Sequence, residues 1–177
     1  MYVKIFHLVK PAIILFLILI STVIVNSQDI TLKEGDEAPD FKLQADNGNW
    51  VKLSDYRGNS NVVLYFYPKD KTSGCTKEAC NFRDNISKIT DQNAVVLGVS
   101  VDDIDSHKSF KDEQKLNFIL LADTSKEVSK IYSGLSSSGM SKRVTFVIDK
   151  SGIIKKIFPS VDVNEHYKEI IDALAKL

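Results

Sequence analysis

Residues 62–80 read VVLYFYPKDKTSGCTKEAC, a run of branched and aromatic side chains followed by a polar turn and two cysteines. The continuous apolar run at 62–67 is typical of a central strand that is buried on both faces of a sheet. Pro68 ends this strand, because proline has no N–H to donate to a strand ladder. The polar turn then leads into a helix that we predict over residues 76–89, so Cys75 lies where loop and helix meet.

The segments on either side alternate between apolar strands and amphipathic helices. The apolar run at 95–101 predicts a second buried strand, and Asp102 or Asp103 is placed to cap the helix that follows. The turn residues DNGN at 46–49 lie between alternating apolar residues and predict a hairpin. In chain order we expect a hairpin over 41–53, strands at 62–67 and 95–101, a helix over 102–116, a strand at 118–121, a helix over 124–132, a second hairpin from strands at 144–149 and 153–158, and a closing helix over 163–177.

This order predicts an α/β fold with a mixed central sheet flanked by helices and with an N-terminal β-hairpin. Right-handed crossovers would place the strands at 62–67 and 95–101 side by side and parallel. Cys75 then follows the carboxyl end of a central strand, which is the edge where open α/β sheets usually carry their chemistry. No repeat or linker divides residues 28–177, and we predict one domain there.

Residues 1–27 differ from the rest of the chain. Lys4 and Lys10 precede or border an apolar run, and the small residues VNS come directly before Gln28. This pattern is typical of a secretory signal peptide. The run at 11–25 is shorter than the roughly 20 residues that span a bilayer comfortably. We therefore predict a cleaved signal peptide, or else an N-terminal membrane anchor, with the domain exported to a periplasm, a lumen or the cell exterior.

The whole chain has 177 residues, with 23 basic and 23 acidic side chains and an apolar fraction of 44%. These values are close to those of soluble globular domains and exclude a disordered tail, a collagen-like chain and a disulfide-dense mini-protein. The balanced charge argues against a nucleic-acid partner, because such proteins normally carry a basic face. Without the leader, 21 basic and 23 acidic residues remain, so the domain itself has a net charge of −2.

Cys75 is the candidate nucleophile. Only a thiolate is a good nucleophile, and a free cysteine is mostly protonated at neutral pH. The first turn of a helix offers unpaired N–H groups and the positive end of the helix dipole, and both favour the anion. Thr72 precedes Cys75 by three residues, and we expect its hydroxyl to donate to the thiolate or to a substrate oxygen. Gly74 would let the backbone approach a small ligand closely.

Cys80 follows Cys75 by five residues. In a continuous helix this spacing corresponds to about 7.5 Å of rise and about 140° of rotation, whereas bridged Cα atoms usually lie about 4.4–6.8 Å apart. A bond between the two cysteines therefore requires the helix to unwind locally, which suits a transient catalytic disulfide. A permanent structural disulfide in an exported protein is the alternative. A metal site is disfavoured, because His107 and His166 are distant in sequence.

The domain resembles the peroxiredoxins, which are AhpC/TSA-like peroxidases, and among them the bacterioferritin-comigratory-protein or Q-type branch. Pro68, Thr72 and Cys75 match the family signature Pro-x-x-x-Thr-x-x-Cys. The resemblance extends over essentially the whole domain. The strings that carry it are GDEAPDF at 35–41, FYPKD at 66–70, GCTKEACNFRD at 74–84, SHK at 106–108 and RVTFVID at 143–149.

This resemblance implies a thioredoxin-like fold and a thiol-dependent peroxidase that reduces hydrogen peroxide or organic hydroperoxides without a metal, haem or flavin. It implies that Cys75 is the peroxidatic cysteine and Cys80 the resolving one. Arg143 would hold the thiolate and the peroxide, Thr72 would hydrogen-bond the substrate, and Pro68 would shield the site. The resemblance also implies a thioredoxin-like protein reductant and a monomer.

Two other functions remain open from the residues alone. A thiol–disulfide oxidoreductase of the thioredoxin fold would carry two residues between its cysteines, whereas this chain carries four. A non-enzymatic secreted module would use the two cysteines as a structural disulfide. Among the remaining candidates, we expect Glu78 to support the active-site helix without taking part in the chemistry, His107 to be solvated and Trp50 to be a packing residue.

Overall fold

The structure, a computed structural model, describes residues 31–177, and the predicted leader at 1–27 lies outside them. No helix in the described range has the length and apolar character needed to cross a bilayer. In chain order the elements are β1 (Lys42–Ala45), β2 (Trp50–Lys52), a 3-10 turn (Leu53–Tyr56), β3 (Asn61–Phe66), α1 (Ser73–Asp84), α2 (Ile86–Thr90), β4 (Ala94–Ser100), α3 (Ile104–Gln114), β5 (Ile119–Ala122), α4 (Glu127–Tyr132), β6 (Val144–Ile148), β7 (Ile154–Phe158) and α5 (His166–Leu174).

The strands of residues 31–177 form one mixed sheet in the order β2-β1-β5-β4-β3-β6-β7. Strands β3 and β4 lie side by side and parallel, with Val62 opposite Val95 and Phe66 opposite Val99, as the sequence predicts. Strand β5 continues the parallel part beyond β4, while β1–β2 and β6–β7 are antiparallel hairpins at the two sides of the sheet. The predicted α/β class with a mixed sheet and an N-terminal hairpin is confirmed.

Side chains of β3 alternate between two buried layers, one on each face of the sheet. Leu64 and Phe66 pack in the first layer, where Phe66 stacks on Tyr132 of α4 with 5.4 Å between the ring centres. Tyr65 packs in the second layer, which helices α1, α2, α3 and α5 cover. Cys75 belongs to this second layer, so the candidate nucleophile is built into the core and not into a mobile surface loop.

Helix α1 begins three residues earlier than the sequence predicts, and a break follows it. Thr72 is extended (φ −74°, ψ 149°), and its carbonyl accepts the first helical hydrogen bond from the Thr76 N–H at 2.8 Å. Ser73 is therefore the first helical residue, and Cys75 lies in the first turn. At Asn85 the backbone leaves the helical region (φ −113°, ψ 13°), which separates α1 from α2 where the sequence predicts one continuous helix.

The prediction that Trp50 is a packing residue is wrong. Trp50 lies on β2, one of the two edge strands of the described sheet, and 59% of its surface is exposed. The Nζ atom of Lys42 lies 5.1 Å from the centre of its ring, so a cation and solvent surround the indole instead of core residues. Leu53, in the turn that follows β2, takes a buried position instead.

Candidate active site

The Cys75 side chain lies where α1 begins, beside the carboxyl end of β3. It is the third residue of the helix, and only 2% of its surface is exposed. Strand β6 runs antiparallel to β3 with Val144 opposite Phe66, so Arg143 lies next to the loop that follows β3. The Nη2 atom of Arg143 is 3.1 Å from Cys75 Sγ. The sheet thus brings together two predicted site residues that are 68 positions apart in the chain.

Arg143 has a second partner, Glu78. The Nη1 atom of Arg143 donates to Oε2 of Glu78, whose side chain is fully buried. Burial acts to lower the pKa of Arg143, but the attraction of Glu78 and Cys75 outweighs it, and the pKa lies above its ordinary value. The guanidinium therefore stays charged and donates to both groups. A charged donor at this distance stabilises negative charge on the sulfur.

Glu78 lies three residues after Cys75, so both side chains are on the face of α1 that meets the guanidinium. Burial raises the pKa of Glu78 to about 7, although Arg143 acts to lower it. Within residues 31–177 its Oε1 atom has no hydrogen-bond partner. From the sequence, Glu78 is expected only to support the helix, and its direct contact with Arg143 is not predicted. The three-residue spacing from Cys75 is the signal that could have found it.

Replacing Glu78 with glutamine should change how stability depends on pH. The folded-state pKa of about 7 lies above the ordinary value of 4.5, so the ionised form is disfavoured in the folded protein. This penalty is absent below about pH 4.5 and complete above about pH 7, where it amounts to about 3 kcal/mol. Glu78→Gln mimics the protonated form. The unfolding free energy of Glu78→Gln, relative to that of the wild type, should therefore rise by about 2–3 kcal/mol as the pH increases from about 5 to about 8.

Denaturant unfolding at several pH values measures this gain. Glu113→Gln is the matched control, because the Glu113 side chain is 51% exposed and pairs with Lys71 at the surface. That variant should show no comparable gain. If the unfolding free energies of the wild type and Glu78→Gln change in parallel with pH, the raised pKa of Glu78 is contradicted.

Three of the four remaining predicted site residues, Pro68, Thr72 and Gly74, belong to the loop between β3 and α1 or to the first turn of α1. Thr72 Oγ1 donates to the Lys69 carbonyl at 3.1 Å, whereas the sequence predicts that it donates to the thiolate or to a substrate oxygen. A hydroxyl that donates in this way keeps its lone pairs as acceptors. Gly74 lies beside Arg143, since a side chain at this position would begin 3.6 Å from Nη2. Pro68 is half-buried in the loop, two residues after the end of β3.

Cys80 lies on a different side of α1 from Cys75. It is half-buried, and its Sγ is 3.7 Å from Oε1 of Gln114 at the end of α3. Arg83, one turn further along, donates from Nη1 to the Gln114 carbonyl at 2.5 Å. Both cysteines are free thiols on one continuous helix. A bond between them therefore requires part of α1 to unwind.

The prediction that His107 is solvated is wrong. His107 is fully buried, and its Nδ1 lies 2.9 Å from Oδ2 of Asp70. It shares the buried face of α3 with Phe110, three residues further along the helix. Asp70 belongs to the loop between β3 and α1 and is not among the site residues that the sequence predicts.

The described residues offer no metal centre near these side chains. Nowhere in 31–177 are three or more His, Cys, Asp and Glu side chains grouped so that they could hold a metal ion. A surface cavity of about 540 Å³ lies by Asn61 and Asp149, at the amino end of β3. This cavity is at the opposite end of the strand from Cys75, and none of the predicted site residues lines it.

Comparison with known proteins places this site in a family. The AhpC/TSA family matches residues 34–157. "Putative peroxiredoxin bcp" of Coxiella burnetii and "Peroxiredoxin Bcp" of Bacillus subtilis are each 40% identical to the chain over 153 residues. Both alignments cover 82% of this chain, with 100% of the first relative and 96% of the second.

Solved structures agree with the sequence relatives. Peroxidoxin BcpB of Mycobacterium tuberculosis matches with a TM-score of 0.77 and 30% identity, over 82% of this chain and 98% of its own. A structure of the Xanthomonas campestris bacterioferritin comigratory protein, described for its alkyl peroxide reduction activity, matches with a TM-score of 0.74 and 26% identity. That match covers 84% of this chain and 98% of the other. The predicted thioredoxin-like fold is confirmed.

The matched range contains every element of the candidate site. Cys75 and Glu78 on α1, the loop before them and Arg143 directly before β6 all lie within residues 34–157. The predicted resemblance is therefore confirmed by a family match over more than half of the chain and by relatives that align over nearly their whole length. The chain belongs to the AhpC/TSA family, and within it to the peroxiredoxins of the Bcp or Q type.

Proposed function

We propose that this protein is a thiol-dependent peroxidase that reduces hydrogen peroxide and organic hydroperoxides, with Cys75 as the peroxidatic cysteine. One observation carries the proposal: Cys75, in the first turn of α1, has its Sγ atom 3.1 Å from the guanidinium of Arg143. Membership of the family supports it, since relatives that are 40% identical are named peroxiredoxins.

In the first step the Cys75 thiolate attacks the nearer oxygen of the peroxide, and the O–O bond breaks. The attacked oxygen keeps its hydrogen and becomes the sulfenic acid, while the departing oxygen takes up a proton and leaves as water or an alcohol. Arg143 stabilises the charge that develops on the departing oxygen, because a guanidinium already held in place needs no reorganisation during the reaction.

Residues around the thiol orient the substrate in this proposal. The proton of the Thr72 hydroxyl is already donated to the Lys69 carbonyl, so Thr72 meets the peroxide as an acceptor of its O–H. Gly74 leaves space beside Arg143 for a small ligand. Half-buried Pro68 shields the thiol from bulk water.

In the second step Cys80 resolves the sulfenic acid. Its thiol attacks the sulfenic sulfur of Cys75, water leaves, and the Cys75–Cys80 disulfide forms. Part of α1 must unwind first, because the intact helix holds the two sulfurs on different sides. A thioredoxin-like dithiol protein then reduces the disulfide by thiol exchange, which returns both cysteines to thiols.

Replacing Cys80 with serine should separate the two steps. With a thioredoxin-like donor, Cys80→Ser should consume about one peroxide per protein and then stop, since no resolving thiol remains. Mass spectrometry should find one added oxygen on Cys75. The wild type under the same conditions is the control and should continue to turn over. Sustained turnover of Cys80→Ser at the wild-type rate with the same donor would contradict a resolving role.

A peroxide-consumption assay with several electron donors tests the proposal as a whole. We expect turnover with a thioredoxin system that exceeds the rate of insulin reduction. Insulin reduction faster than peroxide turnover would instead identify a thiol–disulfide oxidoreductase. A Cys75–Cys80 disulfide whose redox state changes with neither peroxide nor thiols would identify a non-enzymatic module with a structural disulfide.

We also propose that residues 1–27 export the domain, either as a cleaved signal peptide or as a membrane anchor, and that the domain acts as a monomer. The basic start, the apolar run and the small residues before Gln28 support export. Because reducing power is scarce outside the cytoplasm, the dithiol partner must then act in the same compartment. N-terminal sequencing tests this proposal, and an intact Met1 in the cytoplasmic fraction would overturn it.

A further inference from the structure

A buried polar network fastens the loop between β3 and α1, and Asp70 is at its centre. Only 5% of Asp70 is exposed. Its Oδ1 accepts a hydrogen bond of 2.7 Å from the hydroxyl of Tyr67. Its Oδ2 accepts one of 2.7 Å from the hydroxyl of Ser106 and lies 2.9 Å from Nδ1 of His107. Two of these three partners belong to α3, so the carboxylate ties the loop to that helix.

The backbone of the loop is held as well. The N–H of Asp70 donates to Oδ2 of Asp102 at 2.9 Å, and the Ser100 hydroxyl donates to the same oxygen at 2.7 Å. Lys71, the next residue, adopts the left-handed conformation (φ 59°), which is uncommon for a residue with a side chain. The surrounding hydrogen bonds therefore determine the shape of this loop, since an unconstrained chain would leave that conformation.

Asp70 remains a carboxylate in this network. Burial acts to raise its pKa. Hydrogen bonds from His107, Tyr67 and Ser106, together with the electrostatic attraction of His107, outweigh burial and lower the pKa. Burial raises the pKa of Tyr67 well above its ordinary range, so Tyr67 stays a donor. Removing one donor from a buried carboxylate costs more than an exposed hydrogen bond does, because the group cannot turn to water instead.

The hydrogen bonds of the network connect to the nucleophile through the chain. Thr72, two residues after Asp70, provides the carbonyl that starts α1 by accepting from Thr76, and Cys75 is in the same turn. Within residues 31–177, the hydrogen bonds of Asp70 and His107 involve neither Cys75 nor Arg143. The position of the sulfur relative to the guanidinium therefore depends on where the loop is held.

We propose that Asp70 and His107 form a positioning pair that holds the first turn of α1 so that Cys75 meets Arg143 for the peroxide step. The proposal rests on the proposed peroxidase function. Loss of the pair should slow oxidation of Cys75, which needs the aligned site. It should not slow formation of the disulfide, which needs α1 to unwind and which a loosened loop does not hinder.

The geometry of His107 supplies a matched pair of variants. Only Nδ1 faces Asp70, while Nε2 is buried without a hydrogen-bond partner among the described residues. The nitrogen of an asparagine side chain occupies nearly the same position as Nδ1, so His107→Asn keeps the donor. His107→Leu removes the donor at similar volume. Glu113→Gln is the control on the same helix, because it alters only exposed contacts, with Lys71 on the same loop and with Ser109 on α3.

The experiment mixes each reduced protein with hydrogen peroxide in a quenched-flow instrument and traps free thiols by alkylation. Mass spectrometry then follows thiol, sulfenic acid and disulfide separately. A misplaced nucleophile costs about 10- to 100-fold in rate, so we expect that loss in Cys75 oxidation for His107→Leu. We expect His107→Asn to remain within roughly threefold of the wild type, because its donor is kept. Glu113→Gln should match the wild type, and disulfide formation should not slow in any variant.

Three outcomes would overturn the positioning role. The first is an unchanged oxidation rate in folded His107→Leu. The second is a smaller reacting fraction with an unchanged rate, which indicates lost folding and not lost alignment. The third is equal slowing of both steps. If His107→Leu does not fold, Ser106→Ala removes one donor to Asp70 and carries the same test. Peroxide turnover in Cys75→Ser, by contrast, would overturn the proposed function itself.

Discussion

Cys75→Ser should abolish peroxide reduction. A serine hydroxyl is almost wholly protonated at neutral pH and is not oxidised to a sulfenic acid analogue, so the first step has no nucleophile. Cys75 is 2% exposed, and serine is close enough to it in size to occupy the same buried position, so the fold should persist. Peroxide consumption by the reduced protein, with and without a thioredoxin-like donor, measures the loss.

Cys80→Ser is the matched control for this experiment. It makes the same chemical change five residues further along α1, at a half-buried position, and should still react with the first equivalent of peroxide. Consumption by Cys75→Ser at the wild-type rate would end the assignment of Cys75. Loss of the first turnover in both variants would point to damage of α1 as a whole.

Arg143→Met should lower the rate of Cys75 oxidation by about 100- to 1000-fold, the range found when a single preorganised donor is removed from an active site. Methionine fills similar space but cannot donate to the sulfur or to the departing oxygen. Quenched-flow oxidation with hydrogen peroxide measures the rate. Arg57→Met is the control, since that arginine forms an exposed ion pair with Glu37 at 2.7 Å.

The variant also leaves Glu78 buried without its charged partner. This loss can destabilise the fold, because an unpaired buried carboxylate is costly. The double variant Arg143→Met, Glu78→Gln removes that charge and should recover stability without recovering rate. Recovery of both would show that Arg143 acts only through the fold, and an unaltered rate in Arg143→Met would contradict its catalytic role.

Local patterns in the sequence predict most of the fold. The apolar run at 62–67, the DNGN turn at 46–49 and the Lys150-Ser151-Gly152 turn each depend on neighbouring residues alone, and the structure has strands or a hairpin at each of them. The position of Cys75 at the start of a helix is predicted for the same reason. The helix boundaries are less accurate, because the extended Thr72 and the break at Asn85 depend on backbone conformations that composition does not reveal.

The polar partners inside the site were harder to predict. Arg143 is 68 residues from Cys75, and only the family resemblance pointed to it. His107 lies on a helix among Ser106, Lys108 and other polar residues, which is the pattern of a solvated face. Its burial becomes understandable only when Asp70, 37 residues away, is placed beside it. A buried polar side chain has a partner elsewhere in the chain, and periodicity carries no information about that partner.

The break at Asn85 bounds the helical segment that the proposed disulfide step requires to unwind. Unwinding that begins near Cys75 and passes Cys80 meets Phe82, which is fully buried, before it meets the break. Helix α2 lies beyond that point and is anchored separately through buried Ile89. Helical cooperativity cannot propagate across residues that are not helical. In the proposed mechanism the unwound segment therefore ends within α1, and α2 keeps its own helical turns during turnover.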